Sequence, residues 1–405
     1  MHDPAPDASV RLRPLNPFSI LAGAIAAGYV AALVLLYMRH QWIADAQGRP
    51  IVTDFLEVWV AGRFALASTP VSAYDWQAHH AAQAALAGHD FQGVLNWSYP
   101  PLFLFVAVLL ACLPYAAAFA SWVAASAAGY AATIGAIAKR RDAVFFACAT
   151  PAFFANALVG QNGFLSAALI GASLLFLERR PILSGMFLGL MTYKPQLGVL
   201  FPVALLLDKN WRSLASAALV SAAAIAASWL AFGTATFRAF LHFLPATSQA
   251  ILTDRGEDWN KMQSVYALAR SLGAGDATGW IAQGFAIALC VLMLFWLRRR
   301  NASFAVRAAG LCAAAMFATP YLHMYDFVVL AVPFAFLFRE RAYDRTEWAG
   351  AIAANVLFIG FAAFPAPVGT AIVAIVFALV LRRASRLPGT ERAVSGLSIP
   401  LRQVA

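Results

Sequence analysis

Charge is what this sequence lacks. Only 12% of its 405 residues are Asp, Glu, Lys or Arg, while 62% are hydrophobic. No soluble domain of that length manages with so little charge, so a water-soluble globular protein is excluded. Cysteine is scarce too. Cys112, Cys148, Cys290 and Cys312 lie inside apolar runs, none paired at metal-ligand spacing, and they read as small core residues. There is no Walker-type glycine loop, no Gly-x-Ser-x-Gly and no His-Glu-x-x-His, and no internal repeat or low-complexity linker.

What is present is apolar length. Runs long enough to cross about 30 Å of hydrocarbon recur from residue 18 to residue 383, which identifies an all-α, polytopic membrane helix bundle. The first run, Phe18 to Met38, is too long for a signal-peptide core and has no convincing cleavage site, so it reads as an uncleaved helix. Several others, notably 182–193 and 196–207, are too short to cross alone. Helices interrupted at membrane depth are tolerated only where protein or a water-filled cavity covers the break, so the expected number of transmembrane segments is about 11 to 13.

The net charge of +10 does not point to nucleic acid. Lys139 to Arg141, Arg179 and Arg180, Lys209 and Arg212, Arg298 to Arg300, Arg339 and Arg341, and Arg382 and Arg383 all sit at ends of apolar runs. That placement marks cytoplasmic ends and attracts anionic lipid. With Arg11 and Arg13 ahead of the first helix, residues 1–17 read as a cytoplasmic tail, 18–383 as the transmembrane domain and 384–405 as a second cytoplasmic tail. Two long non-spanning segments, 39–98 and 233–277, then fall outside. The first is expected to hold an amphipathic stretch at 54–67 and a polar helix near 75–88, where His79 and His80 face different sides and make a poor metal pair. Strict alternation does not close: if 99–113 and 116–138 both cross, Lys139 to Arg141 land outside, so one of the two should be short or re-entrant.

Polar motifs interrupt this apolar background. Asp54 and Glu57 share one face of a helix start, where they either cap it, with Asp54 as N-cap and Glu57 at N3, or serve chemistry. Gln161 and Asn162 lie between two spans, as a turn or as hydrogen-bonding groups for sugar hydroxyls. Lys194 stands in an apolar run beside Pro195; it either snorkels from a short helix end or presents an ammonium to a phosphate inside a cavity. His323, Tyr325 and Asp326 open a span after Pro320, and the carboxylate could simply cap that helix.

These residues resemble glycosyltransferase family 87, membrane proteins with the GT-C fold. The resemblance rests on Asp54, Phe55, Trp59, Ala61, Gly62, Tyr74 and Asp75 in the first outer loop, and on Tyr99 to Leu102 opening the next helix. It continues through the Gly160 to Asn162 turn and a small-residue helix ending in Lys194 and Pro195, in order across roughly residues 52 to 335. One departure stands out. Many members carry Pro-x-Ser-Trp-x-His late in the chain; here Tyr325 holds the histidine's spacing and His323 lies two residues earlier.

The resemblance implies transfer of a hexose, with mannose the family's best-known donor sugar, from a polyprenyl-phosphate donor to a lipid or glycan acceptor. The site would lie on the non-cytoplasmic side of the plasma membrane, and no metal or cofactor is required. Asp54 would be the general base. Lys194 and Arg63, with Arg255 a weaker candidate, would meet the donor phosphate. Glu57, Tyr99, Gln161, Asn162, His323, Tyr325 and Asp326 would line the substrate site. A secondary transporter or a non-catalytic membrane subunit remains the alternative.

Overall fold

The computed structural model describes residues 17–93, 95–252, 261–364 and 366–386. Arg11, Arg13, Arg255 and the tail beyond Arg386 lie outside the described residues. Those described are helical, and the β contacts among them are isolated bridges.

Four helical stretches are long and apolar enough to cross a membrane: Pro17–Met38, Tyr115–Ala138, Trp211–Gln249 and Asp276–Arg299. A fifth exists if Arg141–Cys148 and Pro151–Val159, bent by 63° at Pro151, count as one. The rest of the expected set consists of shorter apolar helices, among them Gly163–Phe176, Pro181–Tyr193, Pro195–Leu207 and Phe304–Ala318. So the chain is a polytopic helical membrane protein, and the expected 11 to 13 segments divide, among the described residues, into four or five long spans and a set of shorter apolar helices. The reason lies in the breakers. Pro151 and Pro195 cannot continue a preceding helix, and Gly160 turns the chain with φ 69°.

Of the two apolar runs at 99–113 and 116–138, the first forms the short helix Pro101–Ala111. Its 11 residues, a turn of 3-10 helix followed by Leu104–Ala111, extend about 16 Å, half of the hydrocarbon thickness. This is the short member of the pair, and Tyr115–Ala138 is the full-length one.

Small residues let the middle helices approach. A Cβ on Gly185 would sit 2.3 Å from the Ser213 carbonyl oxygen, and one on Gly189 would sit 2.7 Å from the Val220 Cβ. This Gly-x-x-x-Gly face docks Pro181–Leu190 against the start of the helix beginning at Trp211. That long helix breaks at Gly233, where φ is 80° and ψ 163°, and its second half lies against the first outer loop through Tyr74–Phe240 and Trp76–Phe243 ring contacts.

Two expectations are corrected here. The 54–67 stretch does form a helix, Asp54–Leu66, but it is not amphipathic: every residue from Phe55 to Gly62 is buried. It is wedged between its own loop and Leu104–Ala111, so closely that a Cβ on Gly62 would lie 2.1 Å from the Ala107 oxygen. Nor is Arg383 a lipid-facing charge. It is 1% exposed and forms a two-pronged pair with Glu347, through Nε at 2.8 Å and Nη2 at 2.7 Å. By contrast the polar helix stands as expected, at Trp76–Ala87. Asp75 caps it by accepting from the Gln77 and Ala78 amides, and Gly88 ends it with φ 76°.

Candidate active site

Four segments far apart in sequence bring their polar side chains to one place. Asp54 opens the buried helix Asp54–Leu66. Its N-cap is Thr53, not Asp54, and no side chain caps the start. The Asp54 carboxylate is used elsewhere: Oδ2 accepts from Gln161 Nε2 at 2.9 Å. Gln161 and Asn162 occupy the turn between Pro151–Val159 and Gly163–Phe176. Indole N–H groups hold that turn, Trp42 donating to the Leu158 oxygen at 2.8 Å and Trp122 to the Gly160 oxygen at 2.9 Å. These two residues do form the expected turn, and their side chains point into the polar cluster.

Tyr99 enters from the start of the short helix. Its hydroxyl donates to Gln161 Oε1 at 3.1 Å and accepts from Asn162 Nδ2 at 2.6 Å. Tyr74 donates its own hydroxyl to the Tyr99 carbonyl at 2.9 Å, so the Tyr74–Asp75 pair locks the loop rather than reaching the cluster. Lys194 sits in the break between Pro181–Tyr193 and Pro195–Leu207. It is 4% exposed and does not snorkel: Nζ donates to Asn162 Oδ1 at 3.1 Å and pairs with Asp326 Oδ1 at 2.5 Å.

Asp326 does two jobs. Its Oδ2 caps the turn Met324–Leu330 by accepting from the His323 amide at 3.2 Å, while Oδ1 holds Lys194. Tyr325 offers its ring face to the Lys194 ammonium at 5.1 Å and stacks on the His323 imidazole at 5.3 Å. His323 Nδ1 is 3.2 Å from the Tyr321 oxygen. The segment after residue 261 is tied to the same place, since the Gln263 backbone amide donates to the Leu322 oxygen at 2.7 Å and Met262 bridges to His323.

Burial sets the electrostatics. It pushes the Asp54 carboxyl above the usual carboxylate range, against the Gln161 hydrogen bond and the positive charges of Lys194 and Lys261. Glu57 is pushed well above its ordinary value, by burial first and then by the neighbouring Asp54. Lys261, just before Met262, was not among the sequence candidates. A single lysine in a loop that folds back over the site gives no signal until the fold is known.

Arg63 is not brought into this cluster. It is exposed, with its guanidinium 5.5 Å from the Trp59 ring centroid, and among the described residues it makes no ion pair with Glu57. Along the helix it lies about 13 Å from Asp54, farther than one sugar ring bridges.

A half-buried carboxylate beside a second, buried one, backed by a buried ammonium and amides, can accept a proton from a hydroxyl and bind polyhydroxyl groups. The comparisons bear on what uses it. The sequence model of Glycosyltransferase family 87 matches residues 97–322, more than half of the chain. That match takes in Tyr99, Gln161, Asn162 and Lys194; His323, Tyr325 and Asp326 lie just beyond its end, Asp54 and Glu57 lie well before its start, and all five join by folding. No curated protein and no solved structure matches.

Proposed function

Because this chain belongs to glycosyltransferase family 87, and is therefore a membrane glycosyltransferase, we propose that it moves a hexose from a polyprenyl-phosphate donor to a lipid or glycan acceptor. Asp54 is the general base of that transfer. The observation that carries this reading is the convergence of Asp54 with Gln161 and, through Asn162, with Lys194, from segments 107 and more residues apart in sequence.

In the transfer the acceptor oxygen bonds to the anomeric carbon of the donor while its proton passes to Asp54. The bond from that carbon to the phosphate oxygen breaks, and polyprenyl phosphate leaves. Lys194 and Lys261 are the cations whose field reaches Asp54, and they supply positive potential for the departing phosphate. Arg63, exposed farther along its helix, suits a headgroup at the mouth rather than the reacting phosphate. Glu57, buried one turn along the helix, supports the position of Asp54, and His323, Tyr325 and Asp326 close the opposite wall. The polyprenyl chain lies along the membrane-exposed helices, where each buried methylene contributes about 0.8 kcal/mol.

In this reading the basic ends of the helices face the cytoplasm, and the loops carrying Asp54 and Lys261 face away from it, at the plasma membrane. Purified protein incubated with radiolabelled polyprenyl-phosphate mannose and membrane lipid should yield a labelled lipid or glycan, and the Asp54→Asn protein should not. Equal product from both proteins would remove Asp54 from the mechanism. No product from any polyprenyl-phosphate hexose would remove the donor class.

A further inference from the structure

We propose that Lys194, Asn162, Tyr99 and Gln161 form one directional hydrogen-bond relay that orients the Asp54 carboxylate and couples it to the Lys194 charge, so that these four are positioning residues rather than sugar contacts. This rests on the reading of Asp54 as the base.

The direction of the relay follows from its two ends. A lysine ammonium can only donate, so the Asn162 atom facing Nζ must be Oδ1, which turns Nδ2 towards Tyr99. An ionised carboxylate can only accept, so Gln161 must present Nε2 to Asp54 and Oε1 to Tyr99. The Tyr99 hydroxyl, the one group able to do both, accepts from Asn162 and donates to Gln161. A second lock holds the same amide: the Asn162 backbone N–H also donates to Gln161 Oε1, at 3.1 Å. Every hydrogen from Lys194 onward therefore points towards Asp54. Hydrogen bonds aligned in one sense polarise one another in a low-dielectric interior.

The arrangement suits the ionised form of Asp54. A protonated Asp54 with its hydrogen on Oδ2 would meet the Gln161 N–H donor head-on. Burial supports the positioning role as well, because Gln161, Asn162 and Lys194 are 5%, 2% and 4% exposed and have no face left for a sugar. The half-buried end of the relay is Asp54, the group that meets the acceptor hydroxyl in this reading. Asp326 anchors the far end by fixing Nζ at 2.5 Å.

The test reads Asp54 itself, without substrate. The titratable groups around it are Glu57 on its own helix, Lys194, Lys261, Tyr99, Tyr325 and Asp326. Full-length protein in lipid nanodiscs is titrated by pH-difference infrared spectroscopy, and the carboxyl band of Asp54 is identified by its loss in Asp54→Asn. Tyr99→Phe removes one oxygen and breaks the relay at its centre. It should raise the titration midpoint of Asp54, as should Lys194→Met, while Lys194→Arg should restore part of the difference. The double variant should shift by less than the sum of the single shifts, because a broken relay has little left to transmit. Ser173→Ala, which removes a 3.3 Å partner of Ser184 and touches no member of the relay, should leave the midpoint in place.

An unmoved midpoint in Tyr99→Phe would overturn the proposal, and so would full additivity, which signals a field acting through space. If Lys194→Met does not fold, Tyr99→Phe decides alone. Failure of the base reading shows separately, as sugar transfer by Asp54→Asn, whatever the infrared midpoint does.

Discussion

Among the described residues, two ionic clusters with buried pairs at their centres are built on opposite plans. One gathers Asp54, Glu57 and Asp326 around Lys194. The other, at the far end of the bundle, gathers Arg341, Arg382, Arg383 and Arg386 around Glu340, Asp344 and Glu347. In the arginine cluster the carboxylates are shared several ways. Asp344 accepts from Arg382 at 2.7 Å, from Arg386 at 3.0 Å and from the Glu347 amide at 3.0 Å. Glu347 returns to the Asp344 amide at 3.0 Å and is gripped by Arg383, which also bonds the Leu337 oxygen. In the lysine cluster the carboxylates outnumber the buried cation, and Asp54 takes its side-chain hydrogen bond from a neutral amide, Gln161. A surplus of cations fixes helix ends. A shortage leaves, in the reading proposed above, a carboxylate for use as a base.

Exchanging the chemistry of one carboxylate in each cluster should separate rate from stability. Asp54→Asn should lower transfer by about 10²–10⁴ with the unfolding midpoint near that of the parent, since the amide keeps the shape but cannot take a proton. Glu347→Leu should do the reverse. It strands Arg383 at 1% exposure, and breaking a buried pair from one side typically destabilises by about 3–5 kcal/mol. Turnover per folded molecule should stay near the parent value. Denaturation in detergent and transfer by the folded fraction check both, and a loss of rate in both variants would mean the two clusters do not differ as described. Adding Arg383→Met to Glu347→Leu should recover part of the lost stability, because an apolar pair leaves no charge uncompensated.

A smaller effect probes how the fold aims the base. Gly160 adopts φ 69°, and a Cβ there would lie 2.8 Å from the Phe55 Cβ and 2.9 Å from the Phe119 ring. Gly160→Ala should therefore push the Gln161 turn away from Phe55, next to Asp54. Strain of this kind typically costs about 1–3 kcal/mol, and transfer should fall together with stability. Stability reduced with transfer fully retained would show that the turn does not aim Asp54.

How much of this could be read from the sequence follows from the range of each signal. Helix existence was legible because apolar periodicity is local. Asp75 and Gly88 mark the ends of Trp76–Ala87 through cap chemistry that spans four residues. The candidate polar residues were legible because a Lys194 or an Asp54 in apolar surroundings is conspicuous wherever it points. Partnerships were not. Nothing local says that Lys194 meets Asp326 across 132 positions, that Arg63 turns away, or that Lys261 folds back towards Asp54. The buried character of Asp54–Leu66 escaped for a related reason: composition suggests one polar face, and only the approach of Ala107 to Gly62 shows that this face too is covered.

The smallest effect concerns acid, and it should distinguish the two ends again. His79 is fully buried on the helix Trp76–Ala87, with Nδ1 3.0 Å from the Ala73 oxygen and its ring 5.9 Å from that of Phe64 on the helix carrying Asp54. Burial, opposed in part by the Ala73 hydrogen bond, holds its pKa down to about 4. An unfolded histidine titrates near 6.5. Between those values the unfolded chain binds the proton and the folded chain does not, so stability must fall as pH drops from about 6.5 towards 4, and is unaffected above that window. From pH 7 to pH 5.5 the loss should be about 1 kcal/mol. The arginine cluster contributes nothing there: Arg382 holds Asp344 down to about 2, so its stabilisation is present above the ordinary carboxylate value and is lost only as pH falls from near 4 towards 2. Mild acid should thus loosen the loop that carries the base while leaving the opposite end intact. Amide hydrogen exchange at pH 7 and pH 5.5 resolves the two regions, and His79→Gln, which keeps a donor for Ala73 but does not titrate, should abolish most of the difference. Equal acid sensitivity in that variant would place the proton elsewhere, and faster exchange first around Asp344 would reverse the assignment of the two ends.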